Sequence, residues 1–220
     1  MKILPSIASA SQYNIEKELG RIGSRYYENL HIDIEDGNFI PNITFGLKTV
    51  RQIRENYKLP FSVHLMVSNP ENYINELKNT GCCIIFIHVE SCRYLSEVLN
   101  KIKSLGIRAG IALNPCSDLK NYRYLFGITD AVMFMTSEPD FRGQIFNPAV
   151  LENIEEALGE KRLELWVDGG VKEEHLEFLK KKQKNYTLMG REIIDKKKPE
   201  EKQKKINYKK NKTDKKQKKK

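Results

Sequence analysis

The stretch Leu30-His31-Ile32-Asp33-Ile34-Glu35-Asp36-Gly37 is an apolar run that carries a histidine and an aspartate two positions apart and then stops at a glycine. Side chains of a β-strand alternate between its faces, so His31 and Asp33 project the same way. Ile32 and Ile34 face the other way, suited to packing under helices. One imidazole and one carboxylate side by side at a strand end make half of a divalent-metal site. A lone pair of this kind is more often a surface aspartate beside a satisfied histidine. Its meaning depends on whether other strands bring the remaining ligands.

Working outward, short β-like runs cover 2–5, 29–34, 61–67, 83–88, 108–113, 131–135, 164–168 and 186–189. The gaps leave room for one helix and two short loops each. Helical spacing recurs between them: Ile15, Leu19 and Ile22; Val50, Ile53 and Tyr57; Tyr73, Ile74 and Leu77; Leu95, Val98, Leu99, Ile102 and Leu105. Pro70 and Pro148 stand where a first helical turn tolerates proline, and Gly81 and Gly106 stand where a helix ends before a strand. Eight strands alternating with helices predict an α/β fold, either an open doubly wound sheet or a (β/α)8 barrel.

The polar residues separate these two. Ser6 ends the first run, His31 and Asp33 the second, and His64 and Met66 share a face of the third. His88, Asn114, Met135-Thr136, Asp168 and Gly190 end the remaining five. Chemistry at the carboxyl end of every strand fits a (β/α)8 TIM barrel, whose site lies on that face, whereas an open sheet gathers its site at one switch point.

Composition bounds the chain further. With 220 residues, it is long enough for one domain with a buried core. No apolar run approaches the roughly 18 residues of a membrane span. Met1-Lys2-Ile3-Leu4-Pro5-Ser6 has no apolar region of the secretory kind, so a cytoplasmic protein with reduced thiols at Cys82, Cys83, Cys92 and Cys116 is expected. The net charge of +9 belongs to the end of the chain. Residues 196–220 carry 14 Lys against Glu200, Glu201 and Asp214, a net of +11, which leaves residues 1–195 at −2. A barrel domain over 1–195 and a disordered, lysine-rich low-complexity tail over 196–220 are predicted, with an eighth helix that is short or poorly packed. Such a tail could bind a polyanion such as nucleic acid by charge alone. Tyr208 is its only aromatic residue, and a solvated tail is the simpler reading.

His31, Asp33, His64 and Asp168 are four candidate ligands on three strand ends, a set that suits one divalent ion of Zn, Fe, Mn or Co. Strands 2 and 7 stand well apart around a barrel, so Asp33 and Asp168 could approach a substrate from its two faces. One would remove a proton α to a carbonyl and the other return one, a two-base epimerisation through an enediolate with the metal holding the developing charge. Glycines follow strands 7 and 8 directly, in Asp168-Gly169-Gly170 and Met189-Gly190-Arg191. Backbone N–H groups there suit a phosphate. The loop Ser137-Glu138-Pro139-Asp140-Phe141-Arg142-Gly143-Gln144 could fold over the substrate.

Leu4-Pro5-Ser6, the run from His31 to Gly46, Val63-His64-Leu65-Met66-Val67, His88-Val89-Glu90, Leu113-Asn114-Pro115 and Val167-Asp168-Gly169-Gly170 resemble the ribulose-phosphate 3-epimerase family, in order, from about Lys2 to Arg191. The resemblance implies a (β/α)8 barrel with one divalent metal on His31, Asp33, His64 and Asp168, and Asp33 and Asp168 as the acid–base pair. It implies a substrate lined by Ser6, His64, Met66, Met135 and Phe141, and phosphate contacts from Gly143, Gly169, Gly170, Gly190 and Arg191. It also implies a small sugar phosphate as partner and a homo-oligomer. Asp140, Arg142 and Arg191 depart from the family pattern and look like a divergent subgroup of sugar-phosphate epimerases. Ribulose 5-phosphate and xylulose 5-phosphate are the first expectation, with a 6-carbon ketose phosphate such as allulose 6-phosphate next. A barrel that binds a sugar phosphate without turnover is the reading from another class.

Overall fold

Period-two alternation governs how these runs assemble. The computed structural model describes residues 2–22, 29–139, 145–181 and 186–190. Its eight strands are β1 (Lys2–Pro5), β2 (Leu30–Glu35), β3 (Phe61–Met66), β4 (Cys82–His88), β5 (Arg108–Leu113), β6 (Ala131–Met135), β7 (Glu164–Asp168) and β8 (Tyr186–Met189). All pair in parallel in the order β1-β8-β7-β6-β5-β4-β3-β2. A parallel bridge between Ser6 and His31 brings the two ends of that order together. The (β/α)8 reading therefore holds, and the strands match the sequence expectation to within a residue or so at each end. The second run continues to Glu35 because Glu35 still pairs with Met66 of β3.

Helices α1 (Ile15–Ile22), α2 (Leu47–Asn56), α3 (Glu71–Leu77), α4 (Leu95–Ser104), α5 (Val150–Ala157) and α6 (Glu173–Lys181) surround the strands. In α4 the buried residues are Leu95, Val98, Leu99 and Ile102, the stripe that faces a core. Pro70 caps α3, and Gly81 and Gly106 both take positive φ just before a strand. Between β5 and β6 the chain forms a 3-10 helix, Leu119–Leu125, in place of an α-helix. Asp118 caps it by accepting from the Lys120 N–H at 2.9 Å. Its residues Asn121, Tyr122 and Tyr124 are weak α-helix formers, which suits the shorter, tighter element. The eighth helix and the lysine-rich tail lie outside the described residues. No described helix is long and apolar enough to cross a membrane.

Two apolar layers result. Outward residues such as Ile32, Ile34, Val63, Leu65, Ile85 and Ile87 join the helices in the larger core. Inward residues Leu4, Phe86, Met133, Met135, Trp166 and Leu188 fill the barrel itself. Trp166 packs on Phe86 with ring centroids 4.9 Å apart and on Tyr186 at 4.2 Å, closing the interior beneath the carboxyl ends of the strands. Cys82, Cys83 and Cys92 are partly buried, none of the four cysteines is in a disulfide, and burial pushes the Cys82 thiol up. Cys82 packs against the outer core and Cys83 against the barrel interior.

Gly110 on β5 makes room for Phe86: a Cβ there would stand 2.5 Å from the ring's Cε1. Gly110→Ala is therefore expected to destabilise the barrel by about 1–3 kcal/mol through overpacking. A second change, Phe86→Leu, should recover part of that loss in urea unfolding. A Gly110→Ala protein as stable as the parent would contradict the packing described for the interior.

Candidate metal centre and active site

Four side chains converge above the Trp166 layer. Asp33 and His64 are register partners on β2 and β3, His31 lies one inward position below Asp33, and Asp168 ends β7. Their ligand atoms all lie within 4.8 Å of one another. His31 Nε2 is 3.2 Å and His64 Nδ1 3.3 Å from Asp33 Oδ1, and His64 Nδ1 is 3.8 Å from Asp168 Oδ2. Ligands bonded to a common zinc-sized ion at 2.0–2.1 Å stand roughly 3.0–3.4 Å apart, so these spacings suit a shared cation. His31 and His64 are 0% exposed and Asp33 3%.

The surrounding hydrogen bonds fix the rings in place. Ser62 Oγ stands 2.7 Å from His31 Nδ1 and 3.2 Å from Leu30 O, which turns His31 Nε2 toward Asp33. On the other side, His88 Nδ1 is 3.1 Å from Glu90 Oε2 and donates to it. Burial pushes His88 down to about 4, so the ring is neutral and its Nε2 accepts from His64 Nε2 at 2.9 Å. His64 Nδ1 faces Asp33 and Asp168. Three buried atoms, His31 Nε2, Asp33 Oδ1 and His64 Nδ1, have no hydrogen-bond partner among the described residues. Buried imidazole and carboxylate atoms that converge without hydrogen-bond partners are what a shared cation satisfies.

The acids are held differently. Burial alone would raise the Asp33 carboxyl, yet His31 and His64 against it hold it well below the usual carboxylate range. Ser6 Oγ donates to its other oxygen, Oδ2, at 2.6 Å, while accepting from Ala8 N–H at 3.3 Å. Asp168 moves up, first through burial and then through the charge of Asp33. Its Oδ1 accepts from Gly169 N–H at 2.7 Å. Opposite shifts in two neighbouring carboxyls suit an acid paired with a base. Glu35 is pushed up to about 7 by burial and by Asp33. Glu90, which burial alone would raise, is held below the ordinary range by His88 and Ser117; the Ser117 hydroxyl donates to it, as does Asn114 N–H at 3.1 Å.

Ser6, Met66 and Met135 lie at the same mouth, on or just after β1, β3 and β6; Met135 is the register partner of Asp168. Gly169 takes φ +100, and a Cβ on it would stand 2.5 Å from Ser137 Oγ, so only glycine lets the β6 and β7 ends approach this closely. Gly170 also takes positive φ, and Gly190 packs against Ser9. These glycines stand at the β7 and β8 ends as predicted, while Phe141, Gly143 and Arg191 lie outside the described residues. Sequence reasoning overlooked Ser62, the His88–Glu90 pair as a support for His64, and Glu35. Each sits on the inward phase of its strand or two residues beyond it, the spacing that singled out His31 and Asp33.

Supporting groups of this kind set metal affinity, typically by 10–100-fold. Glu90→Gln removes the acceptor that fixes the His88 tautomer and so loosens His64. Its affinity for Zn²⁺, read by chelator competition, should fall by about that factor. Affinity equal to the parent's would show that the relay does not orient a ligand.

Comparisons with known proteins place the chain among its relatives. Residues 2–194 match the Ribulose-phosphate 3 epimerase family. The chain is 37% identical to the ribulose-phosphate 3-epimerase of Bacillus subtilis (strain 168) over 180 residues, 79% of this chain and 83% of that protein. It is 32% identical to the ribulose-phosphate 3-epimerase of Helicobacter pylori (strain J99 / ATCC 700824) over 204 residues, 90% of this chain and 92% of that one. Among solved structures, a mutant tryptophan synthase alpha-subunit from Pyrococcus furiosus superposes with a TM-score of 0.66 at 15% identity, covering 88% of each chain, a likeness of fold alone. With the family matched along nearly all of its barrel, the chain belongs to the ribulose-phosphate 3-epimerase family, isomerases acting on carbohydrates.

Proposed function

We propose that this chain interconverts ribulose 5-phosphate and xylulose 5-phosphate by passing the C3 proton between Asp33 and Asp168. One observation carries the reading: carboxyls from β2 and β7 flank the same buried point, 3.3 and 3.8 Å from His64 Nδ1. Asp33, held as a carboxylate by its histidines, takes the C3 proton from one face. The C–H electron pair forms a C2–C3 double bond as the carbonyl oxygen takes negative charge. Asp168 gives its proton to C3 from the other face, the carbonyl re-forms, and the configuration at C3 is inverted. In the reverse direction the two exchange roles. When bound, a divalent cation on His31, Asp33, His64 and Asp168 supplies electrophilic stabilisation of the charge on the substrate oxygen. Zn, Fe, Mn and Co all suit these donors.

Ser6 fixes the unshared oxygen of Asp33, and the apolar Met66 and Met135 exclude water from the reacting carbon. Gly169, Gly170 and Gly190 offer backbone to the phosphate at the β7 and β8 ends. Phe141, Gly143 and Arg191 complete the substrate contacts in this reading, on the family resemblance. The barrel domain comprises residues 1–195 and the basic tail 196–220. A homo-oligomer is proposed on the resemblance alone. A cytoplasmic location belongs to this reading and is supported by the free cysteines; of the plant relatives, a rice one is named a cytoplasmic isoform and an Arabidopsis thaliana one chloroplastic.

In D2O the protein should exchange deuterium into C3 of ribulose 5-phosphate. Faster exchange into a 6-carbon ketose phosphate would move the substrate to that class, and no exchange into any ketose phosphate would end the epimerase reading. Asp168→Asn should lower epimerisation by about 10²-fold or more. It should still wash out the C3 proton of the epimer that faces Asp33; equal loss of exchange from both epimers would sink the two-base assignment. Truncation after Asp195 is expected to leave turnover unchanged, and a large loss would give the tail a part in the reaction.

A further inference from the structure

Glu35 is a buried carboxyl that the proton transfer does not use. It occupies the next inward position after Asp33 on β2, roughly 6.5 Å nearer the mouth of the barrel. It pairs in register with Met66 as Asp33 pairs with His64, so the two form a layer directly above the ligands. Only 8% of the residue is exposed, and its Oε2 accepts from Asn42 Nδ2 at 2.6 Å. Asn42 belongs to the loop between β2 and α2, so that loop holds the carboxyl in place.

The placement is costly. Glu35 follows Asp33 on the same face of β2 and is buried, so it is a further carboxyl at the mouth that already holds Asp33 and Asp168, and a buried carboxyl is costly without a partner. Holding Asn42 does not need a carboxyl, because a neutral amide or hydroxyl would accept the same bond without adding charge. Met66 beside it is apolar, so on this side of the layer Glu35 is the strong acceptor. A sugar hydroxyl buried here loses its water and needs such an acceptor. The glycines suited to phosphate are on β7 and β8, while Glu35 and Met66 are on β2 and β3. With C3 between Asp33 and Asp168, the hydroxyl directed toward β2 and β3 is the one on C1.

Resting on the epimerase reading, we propose that Glu35 is a specificity-determining residue which, positioned by Asn42, accepts a hydrogen bond from the C1 hydroxyl of the ketose phosphate. The test follows C3 deuterium exchange from xylulose 5-phosphate and from 1-deoxyxylulose 5-phosphate, using full-length, metal-loaded parent, Glu35→Met and Asn42→Ala proteins. The parent should prefer the hydroxylated substrate by about 10- to 100-fold in kcat/KM. Glu35→Met should lose that preference by slowing on xylulose 5-phosphate alone, with metal content and melting temperature kept. Asn42→Ala, which leaves the carboxyl but releases it, should fall between the two. An unchanged preference in both variants overturns the proposal. Equal losses on both substrates, or loss of metal, overturn it too, since Glu35 would then be a structural residue or a ligand. A parent protein that exchanges neither substrate overturns the epimerase reading and this inference together, which tells the two failures apart.

Discussion

Asp33 Oδ1 lies 3.2 Å from His31 Nε2 and 3.3 Å from His64 Nδ1, and none of the three atoms has a hydrogen-bond partner among the described residues. Left alone, such a cluster is unfavourable, because buried acceptors without donors cost on the order of 1–3 kcal/mol each. Its neighbours hold it in place: Ser62 stands 2.7 Å from His31 Nδ1, the His88–Glu90 pair backs His64 Nε2, and Ser6 donates to the other oxygen of Asp33. The supports are spread over β1, β2, β3 and β4, so the site is a property of the whole barrel wall.

The barrel serves this cluster in two ways. Parallel register places Asp33 beside His64 and Glu35 beside Met66, so one strand alternation stacks the proposed ligands and the proposed substrate contacts in successive layers. Beneath them, Trp166 and Phe86 form a dry base, with the Trp166 ring centroid 6.4 Å from that of His31. Low dielectric there strengthens each charge and hydrogen bond above it. Gly110 is part of the same device, since a side chain in its place would displace Phe86. The seam between β1 and β2 is joined at Ser6 and His31, so the closure of the barrel and the support of Asp33 share residues.

The proposed ligands lie deep: His31 and His64 are 0% exposed and Asp33 3%. Asp140, Arg142 and Arg191, where the chain departs from the family pattern, lie outside the described residues. In the proposed reading Glu35 meets the end of the substrate away from the phosphate, so proton transfer and specificity are served by different layers of the mouth.

The alternation of His31 and Asp33, the eight strand-sized runs and the polar residues at their ends were legible in the chain, because period and spacing are local properties. The barrel, its strand limits and the four converging side chains followed from them. The 3-10 helix after β5 did not, since it depends on how a short connection must cross between neighbouring strands. Nor did the roles of Ser62, His88 and Glu90, which arise from contacts between strands brought together only by folding. The sequence by itself determined which atoms could ligate and on which strand face they stand. Only the tertiary structure decided which of those atoms converge and what backs each of them, because Ser62, His88, Glu90 and Ser6 reach the ligands from distant parts of the chain.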